Sequence, residues 1–127
     1  MTKEKMTHSE YVAQCRTRLA KACGDLIRGE ASVIATSRLI CSLEHGCELD
    51  TPGFIGFTAI ESETDDYPLG ETRQNWNADY LAELDAEFSS YEDRCRPGAL
   101  ENAEVILRSL RRAGQPDDAT DRATPDR

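Results

Sequence analysis

The sequence predicts an all-α protein: four helices in two antiparallel hairpins, joined by a long, partly ordered acidic crossover. Three observations carry this prediction. Apolar residues recur at spacings of three and four in separate stretches of the chain. Capping residues stand before these stretches, and glycines or a proline stand after them. Between Gly46 and Glu71 there are seven carboxylates and no Lys or Arg, in a segment without a clear helical period.

The first helix opens on Thr7-His8-Ser9-Glu10, an S/T-x-x-E capping box. Val12, Cys15, Leu19, Ala22 and Leu26 form its apolar stripe, and Gly29 is the natural stop. A second helix follows at once, with Val33, Ile34, Ile40, Cys41 and Leu43 on its apolar side. His45-Gly46 ends it, and so short a connection predicts an antiparallel hairpin.

The middle, about residues 47–76, is expected to be anchored to the bundle by Phe54, Ile55, Phe57, Ile60, Leu69 and Trp76. It is read either as a short helical turn after Thr51-Pro52 or as a short extended piece through Phe57–Ile60. A third helix starts at Asn77, a good N-cap, with Leu81, Leu84, Phe88, Tyr91 and Cys95 as its stripe. Arg96-Pro97-Gly98 is expected to break it, and Pro97 to open a fourth helix over Ala99, Ala103, Ile106 and Leu110. Gly114 ends that helix. The expected organisation is one domain over 1–114 and a disordered tail over 115–127.

Composition narrows the function classes. With 39% hydrophobic and 31% charged residues, the chain reads as a soluble globular protein. No apolar run approaches the roughly eighteen residues that a membrane helix needs, and the first residues lack a signal-peptide core. A cytoplasmic location is expected, with no membrane partner. The five cysteines are an odd count in such a setting and read as reduced, mostly buried side chains. The net charge of −9 disfavours nucleic acid as a partner, despite the Arg cluster late in the fourth helix.

Specific chemistries fit poorly. Against an EF-hand loop starting at Glu61, the glycine position holds Asp66 and the bidentate Glu position holds Thr72. Glu61 and Glu63, or Glu63 and Asp65, could pair as general acid and base, but nothing in the sequence indicates their burial. His45-x-Cys47 is the one close pair of zinc-ligand type and has no second pair to match it. His8 and His45 read as surface and helix-end residues rather than as bases for a cysteine nucleophile. The sequence therefore predicts no catalytic residue, no cofactor and no metal. Tyr67, Trp76 and Tyr80 beside the acid run suit a protein interface, although Trp76 also suits packing of the middle segment onto the bundle.

The stretch Phe57-Thr58-Ala59-Ile60-Glu61-Ser62-Glu63-Thr64-Asp65-Asp66-Tyr67-Pro68, with Arg73 and Trp76 after it, resembles the signature of an uncharacterised family of small bacterial proteins. In that family, a domain of unknown function, a run of the form aIxSETDxxP precedes an Arg, a Trp and a charged helical pair. The resemblance spans roughly residues 8–112, and about a dozen central residues carry it. In size and acidity the chain is also similar to the small immunity proteins that neutralise toxins delivered between bacteria. That similarity rests on size, charge and solubility, and neither comparison implies a catalytic residue.

The expected function is thus binding of a basic protein partner, in its concrete form a nuclease-type toxin. Glu61, Glu63, Asp65 and Asp66 would make the charged contacts, and Tyr67 would serve as an anchor. Two alternatives stand beside it. One is a structural adaptor whose acid run is paired internally. The other is a metal- or carboxylate-dependent enzyme.

Overall fold

The computed structural model describes residues 6–114. Among them are four α-helices, α1 (His8–Ile27), α2 (Val33–Cys47), α3 (Phe54–Glu63) and α4 (Ala78–Gly114), and one 3₁₀ helix over Gly70–Asn75. No strand occurs among the described residues. The expected tail, 115–127, lies outside them.

α1 begins with the predicted capping box. The Glu10 amide donates to Thr7 Oγ1 at 3.1 Å, and the Thr7 amide donates to Glu10 Oε1 at 3.0 Å. Its end is a Schellman motif: the Gly29 amide bonds the Leu26 carbonyl, and the Glu30 amide bonds the Asp25 carbonyl. Gly29 has φ +79°, a left-handed conformation that only glycine adopts without strain.

α2 runs back antiparallel to α1, as the short connection required. Ser32 Oγ accepts from the Ala35 amide, and the Glu92 carboxylate of α4 accepts from the Ile34 amide at 2.8 Å. A distant acid thus completes the α2 N-terminus, where negative charge is favoured. At the other end, the Arg16 guanidinium donates to the Cys47 and Glu48 carbonyls, both at 2.8 Å. These bonds satisfy carbonyls that the helix itself leaves free.

The middle segment adopts the helical alternative. α3 buries Phe54, Phe57 and Ile60 in the core. Its start approaches α4 closely: a Cβ on Gly53 would lie 2.9 Å from the Asn102 carbonyl oxygen, so only glycine fits there. The core itself joins Leu19, Cys23 and Leu26 of α1, Val33, Ile40 and Leu43 of α2, the three buried residues of α3, and Ala99, Ala103 and Ile106 of α4.

The expected second hairpin is absent. Residues 78–114 form one helix of 37 residues that passes through Pro97. Its apolar stripe explains why. Tyr91, Cys95, Ala99, Ala103, Ile106 and Leu110 keep helical spacing across the Pro97-Gly98 pair, so packing holds both halves in one register. Pro97 and Asp93 are both exposed. Water can therefore satisfy the Asp93 carbonyl that the proline leaves unbonded. At 1.5 Å per residue α4 is about 55 Å long. Glu92 is level with the start of α2, so the turns before it run past the α1–α2 hairpin. There Leu81, Leu84 and Phe88 stay half-exposed, although the sequence placed them in a core stripe.

Candidate functional site: an acid cluster at the end of the third helix

Glu61 and Glu63 occupy the last turn of α3, and Asp65 and Asp66 follow directly. Glu61 is half-buried and the other three are exposed. None of the four takes part in an ion pair among the described residues. The C-terminal end of a helix carries the negative pole of its dipole. A chain optimised only for stability would place Lys or Arg there, and the last turn of α3 has no basic residue. The charges stand where the local field opposes them, and violations of this kind concentrate at functional sites.

The segment is held from below through its backbone, and of its carboxylates Glu63 is also bonded. The Arg38 guanidinium of α2 donates to the carbonyls of Thr64 and Tyr67. Thr64, fully buried, donates from Oγ1 to the Ile60 carbonyl at 2.7 Å, and the Tyr67 amide closes a turn onto the Thr64 carbonyl at 3.0 Å. Tyr91 of α4 donates its phenol to Glu63 Oε1 at 2.5 Å. Burial, followed by the Glu63 carboxylate, pushes the Tyr91 phenol well above its usual range, so it stays a donor.

Tyr67 is a half-buried strut. Its ring packs on Phe88 with centroids 4.8 Å apart, and its hydroxyl donates to Asp85 Oδ1 at 2.5 Å. Arg73 lies 5.8 Å from the Tyr67 ring centroid and donates to Asp85 Oδ2 at 2.8 Å. Arg73 first, then Tyr67, holds the Asp85 carboxyl below the usual carboxylate range. The guanidinium nearest in sequence to the acid run is thus paired with α4. Trp76 stacks on Tyr80 at 5.6 Å, with the rings 2° from parallel.

The structure places Glu61, Glu63, Asp65 and Asp66 in one short stretch at the end of α3; sequence reasoning missed Arg38 and Tyr91, which hold that stretch, and Asp85, which holds Tyr67 and Arg73. Arg38 acts on carbonyls, and a carbonyl ligand leaves no residue-type signal. Asp85 and Tyr91 lie on the stretch read as a separate helical hairpin.

The other concavities lie elsewhere. A shallow groove of about 530 Å³ sits at the opposite end of the bundle, lined among others by His8, Val12, Arg16, Glu48 and Leu110. Its charged members are already engaged, since His8 pairs with Glu48 at 2.8 Å and Arg16 caps α2. Among the described residues no three His, Cys, Asp or Glu side chains are grouped so as to hold a metal ion. No helix among them is long and apolar enough to cross a membrane. No protein-family model matches the chain, and no curated protein and no solved structure matches it either.

Proposed function

We propose that this protein is a binding module for a basic protein surface, and that its concrete role is to neutralise a nuclease-type bacterial toxin. One observation carries the reading: four clustered carboxylates without an ion pair among the described residues, set at the negative pole of α3 on a backbone that Arg38 fixes. A nuclease needs a cationic cleft for its phosphate substrate. An inhibitor that presents fixed carboxylates fills such a cleft and is steered to it by long-range attraction. Glu63, Asp65 and Asp66 make the outer contacts, Glu61 lies behind them, and Tyr67 supports the surface from within.

The test is association kinetics with a cationic nuclease domain, sought first in the product of the neighbouring gene. Glu63→Lys with Asp65→Lys slows association by about tenfold or more, and raised salt slows the parent protein likewise. An on-rate that ignores both changes rules this surface out. The adaptor reading draws on a different observation, the hydrogen bond from Tyr91 to Glu63. It requires that Tyr91→Phe lower stability and leave every binding rate alone.

A further inference from the structure

α3 is unusual in being almost wholly apolar around its circumference from Phe54 to Ile60. Such a helix is ordinarily buried on every side. Here only Phe54, Phe57 and Ile60 are buried. Ile55 is 73% exposed, and Thr58, Ala59 and Ser62 are exposed as well. The spacing of 55, 58, 59 and 62 places them on one face, one above another. That face is uncharged and built of small side chains, with a single large aliphatic one at its N-terminal end.

The stretch it belongs to carries one sign of charge, and the guanidiniums that reach it are engaged elsewhere: Arg38 on the Thr64 and Tyr67 carbonyls, Arg73 on Asp85 and Arg94 over the Tyr91 ring. The face runs into Glu63, Asp65 and Asp66, and no Lys or Arg occurs between Arg38 and Arg73. A second copy of this chain is a poor occupant, because it would bring two acid clusters together. Complementarity asks for an apolar stripe bordered by cations.

Building on the proposed function, we infer that the outer face of α3 docks a basic amphipathic helix of the partner protein. The partner's apolar stripe lies on Ile55 and Ala59, and its Lys or Arg side chains reach Glu63, Asp65 and Asp66. The small side chains at Thr58, Ala59 and Ser62 let the two helices approach closely. The negative pole of α3 adds to the attraction at the cationic end. The acid cluster then supplies speed and orientation, and the apolar face supplies residence time.

The test uses the full chain and two defined peptides, an amphipathic Leu–Lys helix and a Ser–Lys peptide of equal charge, titrated by calorimetry at low salt. The Leu–Lys peptide binds about tenfold tighter or more. Ile55→Asp abolishes that preference, while the Ser–Lys affinity holds or rises with the added carboxylate. Ile55 is largely in solvent, and a far-UV dichroism spectrum matching the parent confirms that the variant folds. Equal affinities for the two peptides, unaffected by Ile55→Asp, overturn the docking face while leaving the acid-cluster reading in place. Absence of binding by both peptides overturns both. Sedimentation that shows a dimer dissociated by Ile55→Asp assigns the face to a second copy and also overturns the inference.

Discussion

Asp85 ties the Thr64–Trp76 segment to α4 by accepting from both Tyr67 and Arg73. Its carboxyl is held below the usual range, so its contribution to stability is complete above the unfolded value of about 3.9. That contribution is lost as pH falls through the depressed folded value. The protection factor of the Trp76 amide, whose N–H bonds the Arg73 carbonyl, should fall when pH drops below about 4, well before the core opens. Asp85→Asn should keep the protection factor low at every pH. Protection that persists at low pH contradicts this role. The buried thiols behave differently. Burial, with Cys47 nearby, pushes Cys23 up to about 12, and burial, with Cys15 nearby, pushes Cys47 up to about 11. Neither forms appreciable thiolate near neutrality. Iodoacetamide at about pH 8 should leave both unmodified in the native protein, by intact mass and peptide mapping, and alkylate them only in denaturant.

At the scale of elements, α4 carries the clearest test. Pro97 removes an amide from the middle of a helix, and Gly98 follows it with open space where a Cβ would stand. Pro97→Ala should stabilise the protein by about 1–3 kcal/mol, and Gly98→Ala by a further 0.5–1 kcal/mol or so, read as urea midpoints. A loss of stability would mean that the proline serves a shape the straight helix cannot supply. The same pair shows where sequence reading ran out. Thr7 with Glu10, Gly29 and Asn77 were legible because a cap acts within a few residues; the Tyr80 amide does bond Asn77 Oδ1 at 3.0 Å. Pro-Gly is an equally local signal, but it competes with a packing stripe that spans both sides, and the stripe prevailed. α3 was half legible for the opposite reason. Its apolar residues surround the helix, so no period separated helix from strand. Tyr67 read as a projecting anchor because its two partners, Asp85 and Arg73, are set by tertiary contact.

Taken whole, the molecule is electrically lopsided. From Leu39 to Asp93 there are fourteen carboxylates and Arg73 alone against them, while the flanking stretches are net basic or close to balance. Repulsion of this kind lowers stability and raises the rate of meeting a cationic partner. The two effects should separate in one variant. Asp65→Lys with Asp66→Lys places cations at the negative pole of α3. It should raise the thermal midpoint by about 2–6 °C while it slows association by tenfold or so. A variant that gains stability and keeps its on-rate would show that the charge is incidental. Trp76, the single tryptophan, lies face to face with Tyr80 where the long helix overhangs the hairpin. The chain therefore carries its own fluorescent reporter at that end. A shift in indole emission would follow any event that loosens the overhang, and it would do so without an added dye.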